Sequence, residues 1–426
     1  MTQAANDLSR IVQGLFLVSG LLVMTSCNIP AGQSAYDFQG QISEKTLHAY
    51  LDRAVTMAEL CTPPEYEQDG QPGCLEDDIR LIANTGAKLI GRATFRWGQE
   101  QALNDPGFLG YARKVMERVH KNDPEVIFQA AIFEVVTPAV ATILIPEHVF
   151  RAFDLPIQVR PFDHRAMLFE DGLFVNHFGA ASVPDITRIE TRLWFYYLAT
   201  TYIDAGFESL HWGQVDLTGS RDQQWEHWFE LIGKVRNYAE AHSRRSFVLH
   251  DAHTVTGYTR EGRQLMDYHS FPLRIQESDS IHMAGVLKAD YPVEEPWQKS
   301  IYRKSGGGVT PSGWSCERMP YLVEFDNFEI SETPGKRSDV TDPFIWGYDE
   351  ITWFSLKDLE GQEAWLDYAF HWIRENDPAG HLQMPVSRVV VDGVTKRHKY
   401  KANIPGEDCP QGTGLEIKIK ELWQNL

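Results

Sequence analysis

The chain has 426 residues, 43% of them hydrophobic, enough for one large domain or two ordinary ones. Its formal charge of −19 argues against a nucleic-acid partner, which needs a basic face, and leaves neutral ligands such as uncharged sugars unopposed. No low-complexity tract or internal repeat interrupts it.

The N-terminus carries an apolar run from Ile11 to Met24, too short for a comfortable membrane span and of the length of a signal-peptide core. Met24, Thr25 and Ser26 then lead into Cys27. This resembles a bacterial lipobox, where small residues precede a cysteine that is lipidated and becomes the new N-terminus. The resemblance implies a signal peptide over residues 1–26, lipid attachment at Cys27 and a flexible tether over 27–43. It also implies an extracytoplasmic lipoprotein of the bacterial outer membrane, held to the membrane by its lipid alone, because Asn28 is not the aspartate linked to inner-membrane retention. Cys61, Cys74, Cys316 and Cys409 remain, and four cysteines allow three pairings. Cys61 and Cys74 flank the polar loop PPEYEQDGQPG and are expected to close it, with Cys316 and Cys409 a second pair or free thiols. Without a C-x-x-C spacing, a zinc ribbon or a thioredoxin-like centre is not expected.

EKTLHAYLDRAVTMAEL (44–60) has the pattern of an amphipathic helix, after which strand and helix signals alternate. AKLIGRATFRW (87–97) is read as a strand, FLGYARKVMERVHKNDP (108–124) as a helix and EVIFQAAIFEVV (125–136) as a strand apolar on both faces. RAMLFED (165–171) is a third, short strand. A helix over 186–206, capped by Asp185 and stopped by Gly206, leads to the strand FESLHWGQVDL (207–217). A helix over 222–243 precedes the strand RSFVLHDAHT (245–254), and PLRIQES (272–278), PYLVEFDN (320–327) and PFIWGYDEITWF (343–354) complete about eight strands. A helix over 360–376 and a β-rich tail close the chain.

Such alternation implies parallel pairing and right-handed crossovers. The expected fold is a (β/α)8 TIM-like barrel over 44–385 with long βα loops and a short C-terminal β extension over 386–426. An open doubly wound sheet would announce a glycine-rich phosphate turn after its first strand, which GRATFRWG does not supply. KSGGGVTPSG (304–313) precedes a strand and reads as a mobile loop.

In a parallel barrel the C-terminal strand ends form the active face. Arg96 and Trp97 stand at the first end and Glu134 at the second. Trp212, Gln214 and Asp216 share one face of the fourth strand, with His211 on the other. His250, Asp251 and His253 end the fifth strand and Glu277 the sixth. Glu324 and Asp326 lie in the seventh, and Trp346, Asp349 and Glu350 in the eighth. Acids inside an apolar run such as MPYLVEFDNFEI must be paired, bind a metal or do chemistry. Glu324 is therefore the leading nucleophile or base, with Asp326 beside it, and Asp216, Glu134, Asp251 or Glu277 as its acid partner. Arg96, His211, Gln214 and His250 are expected to donate hydrogen bonds to substrate and Trp212, Trp314 and Trp346 to form platforms for sugar rings.

This layout resembles the large barrel superfamily of retaining glycoside hydrolases, over most of residues 85–380. The resemblance implies a nucleophile at the end of strand seven, where Glu324 falls, and an acid/base at the end of strand four, where Gln214 and Asp216 fall. HWGQVD departs from the Asn-Glu pair usual there. The expected activity is hydrolysis of a polysaccharide or oligosaccharide by two carboxylates, with no cofactor and no metal. The alternatives are a metal-dependent isomerase or phosphodiesterase on the same fold, with Asp251 and His253 as ligands beside Glu134, His211 or Glu324, and a glycan-binding lipoprotein without catalysis. Against a metal, neither H-x-H on strand one nor H-E-x-x-H occurs.

Overall fold

The structure, a computed structural model, describes residues 34–67, 74–254, 257–289, 300–301, 306–338, 343–391, 397–424 and 426. The expected signal peptide and Cys27 lie outside the described residues. Residues Tyr36–Leu426 form one compact unit.

That unit is a mixed α/β fold around a curled, mostly parallel sheet of ten strands. They are β1 (Ala54–Met57), β2 (Leu89–Phe95), β3 (Ile127–Ala131), β4 (Ser209–Gln214), β5 (Leu249–His253), β6 (His269–Pro272), β7 (Tyr321–Glu324), β8 (Gly380–Leu382), β9 (Met384–Val391) and β10 (Arg397–Lys401). From β1 to β8 each strand pairs in parallel with the next. Only Gln383 separates β8 from β9, and β9 pairs in parallel with β1. One nearly continuous segment thus joins both ends of the row, and the sheet must curl to let it. β10 adds to β9 as an antiparallel edge.

Helices α1 (Glu44–Leu51), α2 (Leu75–Thr85), α3 (Pro106–His120), α4 (Glu147–Ala152), α5 (His164–Met167), α6 (Ile189–Ala205), α7 (Val215–Thr218), α8 (Glu226–His242), α9 (Glu350–Ser355), α10 (Leu359–Asn376) and α11 (Glu416–Gln424) surround the sheet. Among the described residues no helix follows β5 or β6; short strands take their place, so the regular alternation expected from sequence breaks down there.

Two core layers result from side-chain alternation along the strands. Ala54, Leu89, Ile127, Leu249 and Leu322, from the strand starts, pack with Leu47, Tyr50 and Leu51 of α1. This apolar plug closes the N-terminal end of the sheet. Phe38 and Ile42 are buried in the same cluster, so the segment expected to be a tether is folded from Tyr36 onward. Ser43 caps α1, its hydroxyl accepting from the Thr46 amide at 3.1 Å.

Several expected elements differ. The predicted helix over 44–60 ends at Leu51, and its remainder supplies β1, a four-residue run too short to carry a strand period. Residues 165–171 open on α5, capped by Asp163. The expected eighth strand over 343–354 is instead a turn and α9. Asp349 caps that helix through the Thr352 amide at 2.8 Å, after Trp346 and Gly347 adopt φ of 51° and 78°. The eighth position is filled by β8 and β9, so the boundary expected at 385 falls inside a strand of the main sheet. Asp185 accepts from the Thr187 amide at 2.9 Å, outside α6, whose N-cap is Arg188. The disulfide joins Cys74 to Cys409, and Cys61 is a buried free thiol. Cys61 is held by its amide to Ala93 on the β2 side, whereas Cys74 opens α2 beside the chain's C-terminal turn.

Candidate functional site

Above the apolar plug the inward side chains turn polar. Gln129 of β3 donates to Asp251 Oδ1 at 2.8 Å and to the Tyr268 hydroxyl at 3.0 Å, while its own Oε1 accepts the Arg92 amide at 3.1 Å. Asp251 Oδ2 accepts from His211 Nδ1 at 2.7 Å and from Ser270 Oγ at 2.7 Å. Glu324, fully buried at the end of β7, accepts from Arg92 Nη2, lies 3.1 Å from His253 Nε2 and 3.3 Å from Arg388 Nη1. The other arm of Arg388 reaches Asp326 at 2.7 Å. Glu324, Asp326, Asp251, His211 and His253 thus come together.

The backbone is bent to place them. Just past β1, within β2, past β3 and within β4, Glu59, Arg92, Phe133 and Gly213 take φ of 64°, 58°, 60° and 68°. Left-handed geometry at a non-glycine residue costs about 1–3 kcal/mol and collects at functional sites. The strand registers shift between Ile90 and Thr94 and between His211 and Gln214, and such bulges re-aim side chains. The bulge in β2 aims Arg92 at Glu324. At Gly213 only glycine fits, because a Cβ would sit 2.0 Å from Glu134 Oε2.

The electrostatics follow from burial and pairing. Burial alone would raise Glu324, but Arg92, Arg388 and His253 hold its carboxyl well below the usual range. Burial and the Arg92 charge push His211 down to about 4, against the pull of Asp251. Asp251, which burial would raise, is held down by His211, Arg92 and Ser270. Both directions favour a neutral imidazole whose Nδ1 donates to the Asp251 carboxylate. Nearby, burial pushes Glu350 up to about 8 despite Arg274 beside it.

Other expected residues stand elsewhere. Glu134 is a clamp, accepting the Gln214 amide at 2.9 Å and side chain at 3.0 Å. Trp212 and His250 point away from the interior: Trp212 Nε1 donates to His250 Nδ1 at 3.0 Å, and Trp212 packs on Trp228 of α8. Arg96 is buried against Tyr66, Thr62 and the Phe108 ring. Glu277 staples a loop through the amides of Ser338 and Trp346 at 2.8 and 2.7 Å. Trp346 is buried, its indole donating to Ala284 O. Trp314 lies at the opposite, N-terminal end, donating to Ile42 O at 3.1 Å, in a segment whose Gly308–Val309 pairs as a strand with Ser315–Cys316 instead of forming a free loop. Asp216 is exposed beside β4 and accepts from the Tyr258 hydroxyl at 3.0 Å; the same hydroxyl reaches His253 O. That exposure blunts the upward pull that burial exerts on its carboxyl.

Phe133 and Arg388 escaped the sequence reading, which had placed Trp97 at the first strand end. Phe133 packs edge-on against His211, with ring centres 5.6 Å apart, and under the Arg92 guanidinium at 5.3 Å. Trp97 bridges Phe133 and Phe178 at 5.4 and 5.2 Å, giving a half-buried aromatic row beside the polar cluster. Arg388 sits in the tail assigned to an extension, and only its place in β9 brings it to Glu324. The Phe133–Glu134 step out of an apolar strand was the one available signal for the first of these.

No family model matches the chain, and no curated protein matches it. Among solved structures, the acarbose-soaked debranching enzyme of Nostoc punctiforme aligns at 9% identity over 52% of this chain and 53% of that one, with a TM-score of 0.32. Its native form aligns at 10% identity over 52% of each chain, again with a TM-score of 0.32. The chain spans about half the length of those structures, and a likeness at that score decides neither fold nor chemistry.

Proposed function

We propose that this chain is a glycoside hydrolase that uses two carboxylates at the C-terminal rim of a (β/α)8-type barrel. The observation that carries the reading is Glu324, a carboxylate kept ionised at the end of β7 by Arg92, Arg388 and His253. Glycoside cleavage passes through a cationic sugar ring, which such a carboxylate attacks or stabilises while a second carboxyl protonates the leaving oxygen. Asp216 is the proposed proton donor. Its Tyr258 partner also reaches the backbone of His253, and His253 contacts Glu324, so the two carboxyls are linked through one short chain of contacts. Phe133, Trp97 and Phe178 offer flat apolar faces for a sugar ring. A divalent ion at Glu324 would meet two guanidinium charges at contact distance, which favours acid catalysis over a metal site.

The test is reducing-end release by the full chain on a broad polysaccharide panel, with and without chelator. Release that survives chelation is expected. Release that a chelator abolishes and a divalent ion restores would move the function to a metal site, and glycan binding without release would make the chain a capture protein.

We further propose that Cys27 carries the lipid anchor, on the lipobox-like residues before it. In cells fed labelled palmitate the wild-type chain is expected to take up label and sediment with membranes, and Cys27→Ser to do neither. Equal labelling of both would remove the proposal.

A further inference from the structure

Three buried atoms of the polar cluster have no hydrogen-bond partner among the described residues: Arg388 Nε, His211 Nε2 and Arg92 Nη1, of which the last two lie against the same rings. Unpaired buried groups are rare, cost about 1–3 kcal/mol each, and call for an explanation. The His211 and Arg92 side chains share two neighbours, Phe133 and His253. The Arg92 guanidinium lies over the Phe133 ring and within 3.1 Å of His253 Nε2. The His211 ring packs edge-on against Phe133 and, at 4.9 Å, against His253.

Their chemistry is complementary. His211 Nδ1 lies 2.7 Å from Asp251 Oδ2, and in the neutral ring that burial and the Arg92 charge favour, Nδ1 donates there and Nε2 is left as an acceptor. Arg92 Nη1 can only donate. A hydroxyl satisfies both, accepting from the arginine and donating to the imidazole. A carboxylate or phosphate oxygen would suit Arg92 but face the His211 lone pair and the Glu324 charge. A cation would face Arg92.

We infer that His211 Nε2 and Arg92 Nη1 form a subsite for one hydroxyl of a neutral polyol or sugar, reached when the Phe133 ring moves aside. Phe133 is half-buried, packs against both the His211 ring and the Arg92 guanidinium, and has a left-handed backbone at φ 60°. His211 is thereby a specificity-determining acceptor and not the donor expected from sequence. The inference rests on the reading that this site takes carbohydrate.

Histidine-selective 15N NMR on the full chain in detergent tests it, with the His211 signal assigned by loss in His211→Asn. An unprotonated Nε2 is expected at neutral pH. Its signal should move on addition of glucose, galactose, mannose, xylose, N-acetylglucosamine or glycerol, and stay in place with inorganic phosphate. Asn keeps a donor for Asp251 where Nδ1 stands and removes the acceptor, so His211→Asn should weaken the best sugar about tenfold, the worth of one lost hydrogen bond in a buried site. A protonated Nε2 overturns the inference. So does a signal that phosphate moves and no neutral probe does, a signal that nothing moves, or equal sugar affinity in His211→Asn. Hydrolysis on the panel beside an unmoved His211 signal would sink this inference and keep the proposed function. A moved signal without hydrolysis would do the reverse.

Discussion

Glu324→Gln is expected to lower any glycan hydrolysis by on the order of 10⁴-fold or more, the scale on which enzymes lose rate when a residue of the reacting set is removed. Gln keeps the size and two polar atoms of the side chain but supplies no charge for a cationic sugar ring. The same change should destabilise the fold. Arg92 and Arg388 both lean on Glu324, and Arg388 alone has a second acid in Asp326. Breaking a buried ion pair from one side costs about 3–5 kcal/mol, because the remaining charges stay buried. The pH dependence has a definite sign. The Glu324 carboxyl is depressed in the folded chain, so its contribution is complete above the ordinary glutamate value of about 4.3 and is lost as pH falls below it. The gap in melting temperature between wild type and Glu324→Gln should therefore be widest near neutrality and narrow below about pH 4. A gap that stays constant with pH, or a variant that retains activity, would show that Glu324 is neither the charge that Arg92 and Arg388 stabilise nor a catalytic group.

Sequence periodicity reached most of the sheet and the centre of the site, for identifiable reasons. β2 to β5 are apolar runs between clear helices, and alternation alone placed Asp251 and His253 on one face. Glu324 stood out because an acid within LVEF needs a partner. The failures share a cause, which is that local pattern carries no register. β1 spans only Ala54–Met57 and adjoins a helix, so its residues merged into a helical period. β8 and β9 looked like a tail, since nothing local reveals that Met384–Val391 pairs with a strand more than 300 residues earlier. Losing β9 meant losing Arg388. Alternation fixes which β4 residues share a face but not which face is inward, and the structure puts His211 inside and Trp212 against α8. Asp349 reads equally well as the acid of a strand end and as a helix cap, and its hydrogen bond to the Thr352 amide decides for the cap.

Removing the Cys74–Cys409 bond is the second large effect expected, in stability and not in chemistry. The bond spans 335 residues of sequence and fastens the start of α2 to the turn before α11. A crosslink over so long a loop restricts the unfolded chain strongly, and its loss costs about 3–5 kcal/mol. The native contacts around it do not depend on it. Arg80 holds Glu416 through two bonds of 2.7 Å, Asn84 donates to Glu416 at 2.6 Å, and Lys401 pairs with Asp78 at 2.7 Å. The fold should therefore survive the double variant Cys74→Ser/Cys409→Ser, with a melting temperature several degrees lower. Wild type under a strong reductant should melt at the same lower temperature. Peptide mapping should find Cys61 as a free thiol in the oxidised chain. A Cys61–Cys74 peptide would restore the local loop closure expected from sequence. A melting temperature indifferent to reductant would show that the long-range bond adds nothing to stability. A bond of this kind persists in oxidising compartments. Its presence in the purified chain would therefore also support the extracytoplasmic location that the residues before Cys27 suggest.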